Sequence, residues 1–288
     1  MTMLLTAAEP AWWTVWYLDL PGLGVLGGIG ALYLRGELLR RARTGQPRPG
    51  RVAAFTAGWV VVLMSLVSPV AGLAGELLWV HMVQHLLMAV VAAPLLALGA
   101  PQATVRRALG PGARHTLARA VRRCSLQRRS WSPPTVVVAL LVHVAALWAW
   151  HAPPLYELAA TNDAVHLLEH VIFLGSAVWL WTAVLAATRR GRRQHGLATL
   201  GMGVLIAQGG VLGALLTFTP QSLYTAYTGA RGLTALEDQQ IAGTLMWVPP
   251  GFVYAIVGIT LFVRWLELIE HDARRRERIR AGNGTPPG

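Results

Sequence analysis

Seven long apolar runs, at residues 14–34, 52–72, 78–99, 134–151, 163–186, 196–218 and 240–266, alternate with short polar stretches. A run of about 18 or more such residues is long enough to cross the hydrocarbon core of a bilayer as a helix. At that length only a helix satisfies its own backbone where water is absent. The pattern therefore predicts an all-α, polytopic membrane protein built as a seven-transmembrane-helix bundle. One membrane domain is expected over residues 1–268, followed by a basic, flexible tail over 269–288.

Local signals refine these elements. Pro153 and Pro154 should end the fourth helix, and Asn162 or Asp163 should cap the fifth. Pro249 and Pro250 fall inside the seventh run and predict a kink bordering a cavity. Gly24 with Gly28, and Gly209 with Gly213, have the small-xxx-small spacing that lets helices approach closely. Leu109, Leu117, Val121 and Leu126 lie among arginines in the segment 101–132 and suggest a helix on the membrane surface. The stretch 220–240 is long enough to fold over the end of the bundle.

Composition agrees, since 54% of residues are hydrophobic and only 13% are charged. The net charge of +12 would be compatible with nucleic acid, but its distribution points elsewhere. Every basic side chain other than histidine is arginine, clustered at 35–51, 106–129, 189–193 and 264–280, on alternate loops. That is the positive-inside pattern, and it predicts the N-terminus outside and the C-terminus in the cytoplasm of a multi-pass cell-membrane protein. The expected contact of the basic loops is anionic lipid of the bilayer, not nucleic acid. The opposite face carries Arg231 among Glu9, Asp19, Glu76, Glu157, Asp163, Glu169, Glu237 and Asp238, a setting suited to cations. Trp12, Trp13, Trp16 and Tyr17 read as an interfacial belt. The N-terminus lacks the basic stretch of a cleavable signal peptide. A lone cysteine, Cys124, excludes an intramolecular disulfide and a Cys-x-x-Cys metal motif.

The chemistry of the chain resides in its histidines. Six of nine fall at the acidic end: His81 and His85, His143 and His151, and His166 and His170. Ionisable groups at membrane depth are costly and point to function, and imidazole is the commonest metal ligand. His81 and His85 are four residues apart on one helix face, as are His166 and His170. From the helical rise, each pair sits roughly 5 and 10 Å below the outer end of its helix. His143 is expected near the deeper level and His151 at the rim. His115, His195 and His271, in basic segments, are expected at the surface.

Three chemistries fit this pattern. A metal site could use His81, His85, His166 and His170, with Glu169 as a ligand or as a group orienting the ligands. Imidazole suits copper, and a thioether such as Met88 or Met246 favours Cu(I). Facing histidines could also ligate a haem, or a His/Glu chain could relay protons. No nucleotide-binding glycine loop and no partnered nucleophile is present, so the chain is not expected to be an enzyme.

At these residues the sequence resembles the multi-spanning cytochrome c oxidase assembly factors of the CtaG type associated with caa(3)-type oxidases. The matching segments are HMVQHLLMAVVAAPLLALGAP (81–101), HAPPLYELA (151–159), HLLEH (166–170) and DQQIAGTLMWVPPG (238–251). The resemblance implies a factor needed to form an active terminal oxidase by handling copper, with oxidase subunits or other assembly factors as partners. On the matched motifs, His81, His85, His166 and His170 are the expected metal ligands. His143, His151, Glu169, Asp238, Gln239, Met246 and Trp247 are further candidates. A metal-cation or small-solute transporter and a b-type haem protein are the alternative functions.

Overall fold

The computed structural model describes residues 11–116, 119, 135–189 and 192–282. Among them it contains helices and turns and no strand. Six helices are long and apolar enough to cross a membrane, or seven if one bent pair counts as a single span.

Helix α1 (Leu20–Thr44) begins later than its apolar run because Asp19 caps it: the carboxylate accepts the Gly22 N–H at 2.9 Å, with Pro21 in the first turn. It ends at Gly45, whose φ of 65° closes the helix in the left-handed conformation. The tryptophans before it form only a short 3-10 turn, Trp12–Thr14. The second run is split. Helix α2 (Pro49–Val67) stops at Ser68, which is extended, and α3 (Pro69–Ala74) restarts with the Ser68 hydroxyl accepting from Val70 N–H at 3.1 Å.

The third span begins as α4 (Leu78–Leu86), passes through a π-helical stretch (Leu87–Ala92), and finishes as α5 (Ala93–Gly99). The cause of the π stretch lies in Pro94, which has no N–H to offer the Val90 carbonyl. The ladder shifts there, and Ala93 N–H bonds to the Met88 carbonyl. Helix α6 (Pro101–Ala108) follows, and residues 111–116 are also helical. The remainder of the expected surface helix, including Leu117, Val121 and Leu126, lies outside the described residues, as does Cys124.

Helix α7 (Thr135–His151) ends before Pro153, as its sequence predicts, but the following segment is no loop. It is helix α8 (Pro153–Thr161), turned by 74° from α7. Proline is well suited to a helix start, where its missing N–H has no partner to lose. Helix α9 (Asp163–Ala187) is capped by Asn162, whose side-chain oxygen accepts Ala164 N–H at 3.0 Å and Val165 N–H at 3.2 Å. The last spans are α10 (Arg192–Phe218) and α11 (Ala235–Gly282). Helix α11 continues through Pro249 and Pro250 and through residues 269–282, which sequence alone suggests as a flexible tail. Its 48 residues extend about 72 Å at a rise of ~1.5 Å per residue, well beyond a bilayer core of ~30 Å.

Contacts between helix ends give the bundle two chemically distinct poles. At one pole Tyr33 Oη donates to Gly99 O at 3.2 Å, Gly36 packs on Thr104, and Arg192 lies 3.8 Å from Asp272. Arginines surround all of these positions. At the other pole lie the six histidines, α8 and the 219–234 connection. Between the poles an apolar core of small and branched side chains joins α5, α7, α9, α10 and α11, centred on Ala139, Ala177, Leu180 and Met202.

Candidate metal centre

Helices α4 and α9 bring their two histidine pairs face to face. Ring centroids of His81 and His85 are 4.3 Å apart, and those of His166 and His170 are 4.2 Å apart. Across the interface His81 lies 5.6 Å from His166, and His85 lies 5.3 Å from His170. The four rings thus form a ladder of two rungs, which is what helical spacing on two adjacent helices produces.

Glu169 completes the cluster, at only 1% exposed. One ligand atom each from His81, His166 and Glu169 fall within 4.8 Å of one another. Glu169 Oε1 is also 3.8 Å from His85 Nε2. The ring nitrogens are mostly unsatisfied: His81 Nε2 and both nitrogens of His85 and His170 are buried with no hydrogen-bond partner. Buried polar atoms normally have partners, so such a concentration of lone pairs is what a ligand set requires. The residues therefore fit a metal ion, with imidazole and one carboxylate as donors.

A cavity of about 230 Å³ opens on this cluster, lined by His81, His166, Glu169 and His170 and, nearer its mouth, by Tyr17, Asp19 and Asp163. Gln84 also lines it; this residue was not anticipated, although it is a polar side chain one turn from His81. Its Nε2 donates to Ser65 O at 2.7 Å, and its Oε1 is left without a partner.

The other candidates separate into three groups. His143 and His151 do not join the ladder. Both are buried and line a second, smaller cavity with His85, Met246 and Trp247. His151 is therefore not at the rim; it is 6% exposed, roofed by Tyr224, whose hydroxyl donates to His151 O at 2.9 Å. Asp238 is wholly buried and engaged: its carboxylate accepts Leu78 N–H at 2.8 Å and Trp79 N–H at 2.9 Å, capping α4. Gln239 is likewise engaged, accepting Leu223 N–H at 2.6 Å and donating to Leu216 O at 3.1 Å. These two side chains build the support of the site. Trp247 packs against Gly213, and a methyl group on that glycine would lie 2.5 Å from its ring.

Three tyrosines were also not singled out from the sequence. Tyr156 lies 5.7 Å from the His81 ring, and its hydroxyl donates to Tyr227 Oη at 3.3 Å. Tyr227 Oη in turn donates to Ala74 O at 3.0 Å. Together with Tyr224 they pin the 219–234 connection over the histidine pole, so this segment does fold over the bundle. Burial pushes the Tyr224 and Tyr227 hydroxyls well above the ordinary tyrosine range, which keeps them neutral donors. The remaining surprise is His195, expected at the surface but 4% exposed and packed inside the arginine pole.

Known proteins place this architecture. An uncharacterized protein of Mycobacterium leprae (strain TN) is 25% identical over 290 aligned residues, covering 92% of this chain and 41% of that protein. The chain thus spans about two fifths of the length of the curated relative it matches. No solved structure matches it. The family model of the cytochrome c oxidase caa3 assembly factors, in contrast, matches residues 31–267 of 288, including both histidine helices, and the chain belongs to that family.

Proposed function

We propose that this chain serves the assembly of a caa3-type cytochrome c oxidase by binding copper at the histidine ladder and presenting it to the oxidase. The observation that supports this most is the pairing of two i, i+4 histidine sets around buried Glu169, with ring nitrogens left unsatisfied in an otherwise apolar bundle. His81, His166 and Glu169 would hold the ion, with His85 and His170 closing the cluster from the deeper rung. The size of the adjoining cavity favours an ion over a porphyrin, since about 230 Å³ is below the roughly 300–1,000 Å³ typical of organic ligand pockets. The role is non-catalytic, and the partners are oxidase subunits or companion assembly factors.

In this reading the histidine pole faces outward and the arginine pole lies in the cytoplasm of the cell membrane, as the positive-inside rule requires. Asp19 and Asp163 at the cavity mouth would then attract cations from the outer aqueous phase. The test pairs metal analysis of purified protein with oxidase assembly in cells carrying His81→Ala or His166→Ala. Both variants should insert normally, lose bound copper and leave the oxidase inactive. Full oxidase activity in both would sink the proposal.

A further inference from the structure

Gln84 borders the cavity of the histidine ladder and is held there in one orientation. It stands three residues after His81 on α4, so the two side chains share a face of the helix. It is 2% exposed, yet it lines the cavity together with His81, His166 and Glu169.

A break in the neighbouring helix sets the orientation of its amide. Ser65 O in α2 would ordinarily accept the N–H four residues on, but that residue is Pro69, which has none. Gln84 Nε2 supplies the missing donor at 2.7 Å. A carbonyl oxygen only accepts, so the NH2 end of the amide must be the end turned to Ser65. Oε1 is thereby fixed on the opposite branch, buried and without a hydrogen-bond partner. Leaving a buried acceptor bare is costly, and this one calls for a donor small enough to enter the cavity.

The neighbouring side chains indicate what that donor is. His81, His166 and Glu169 offer one ligand atom each within 4.8 Å of one another, which makes three protein donors. Three side chains leave a coordination position for water, as in open zinc sites. About 230 Å³ holds several water molecules at ~30 Å³ each. Water on a cation is polarised and donates more strongly than bulk water, so an oxygen that only accepts is its natural partner.

We infer that Gln84 Oε1 accepts a hydrogen bond from a water molecule carried by the ion at His81, His166 and Glu169, and that the ladder takes copper as Cu(II). Among the described residues no methionine or cysteine lines this cavity; Met82 and Met246 line the other one. Nitrogen, carboxylate and water donors suit Cu(II), whereas thioether or thiolate selects Cu(I). This role of Gln84 rests on the copper reading of the ladder and adds to it an oxidation state and a positioning residue.

Electron spin-echo envelope modulation of the full chain in detergent, loaded with Cu(II) in H2O and in D2O, tests it. Wild type should show the exchangeable deuterons of a copper-bound water, and Gln84→Leu should lose most of that signal. Chelator competition should show Cu(II) affinity lowered roughly 10–100-fold in Gln84→Leu, as for other groups that support metal ligands, with anaerobic Cu(I) affinity unchanged. Gln84→Glu, which restores an acceptor but not the bond to Ser65, should recover the water signal. Equal loss of Cu(II) and Cu(I) affinity in Gln84→Leu, unrelieved in Gln84→Glu, would make Gln84 a structural prop and overturn the inference. Unchanged Cu(II) affinity in Gln84→Leu would overturn it too. Lowered affinity with no exchangeable deuterons in wild type would make Gln84 a direct ligand, which also overturns it. In each case copper lost with His81→Ala/His166→Ala leaves the ladder standing, whereas a wild type that binds no copper overturns both. Should Gln84→Leu fail to fold, the wild-type water signal decides, and its absence overturns the inference.

Discussion

His85 Nε2 lies 3.8 Å from Glu169 Oε1, and both residues are buried at the interface of α4 and α9. Most of the described arginines gather at the other pole of the bundle, and Arg231, in the connection over the histidine pole, pairs with Glu76 at 3.1 Å. An anion in that setting is stabilised only by a cation brought to it, by a proton, or by surrounding N–H groups. Glu169→Gln retains the shape and removes the charge. At the proposed site it should weaken metal binding by at least the roughly 10–100-fold seen when groups supporting metal ligands are lost, since Glu169 would itself be a ligand. Chelator competition on the purified variant measures this, and unchanged affinity would remove Glu169 from the site.

The cap of α4 comes from a distant part of the chain. Asp238→Ala should destabilise the protein by about 0.5–2 kcal/mol, the usual value of a helix N-cap. Because two N–H groups are left buried and unpaired, the upper end of that range is expected. A thermal melt in detergent reads the loss, and Asp238→Asn, which keeps one acceptor oxygen, should recover part of it. Equal melting of all three proteins would show that water replaces the carboxylate.

Glycine substitutions should divide sharply by position. A methyl group on Gly36 would lie 2.0 Å from Thr104 O, a backbone atom that cannot step aside, and one on Gly243 would lie 2.8 Å from Gly213 O. Gly36→Ala and Gly243→Ala should each destabilise by about 1–3 kcal/mol through overpacking. Gly28 meets nothing within 4 Å, so Gly28→Ala should be neutral or stabilising by up to about 1 kcal/mol through helix propensity. Comparative melts of the three variants check the order.

Tyr224→Phe removes the hydroxyl that donates to His151 O while keeping the ring that stacks near Tyr156 at 4.0 Å. A loss of about 0.5–1.5 kcal/mol is expected, as for one hydrogen bond. The 219–234 connection should then be cleaved faster in limited proteolysis, because Tyr224 is one of its few buried anchors. An unchanged cleavage rate would mean that the contacts of Tyr227 and Gln239 suffice to hold it.

Much of this was legible in the residues, and the exceptions have physical causes. The third and fifth spans match their apolar runs closely because clear signals bound them, Asn162 before α9 and Leu78 after the Gly75–Glu76 turn. The first span was misplaced because Trp12, Trp13 and Trp16 are apolar by composition, whereas the helix start is set by Asp19 and Pro21. Ser68 with Pro69 broke the second run, a signal that hydropathy averages away. The histidine ladder followed from i, i+4 spacing alone. The separation of His143 and His151 into another cavity did not, since rotation of α7 about its axis depends on packing that no periodicity records. Nor could spacing distinguish Gly213, pressed against Trp247, from Gly28 in the open.

The Asp238–Leu78 contact spans 160 positions, and that separation has a temporal side. During synthesis at about 5–20 residues per second, α4 emerges on the order of ten seconds before the residue that caps it. For that interval the histidine helix lacks its N-terminal anchor, and α11, which walls the second cavity, does not yet exist. The histidine pole therefore takes its final shape only in the finished chain, and a ribosome-bound intermediate carries the two histidine helices without the segments that cap and cover them.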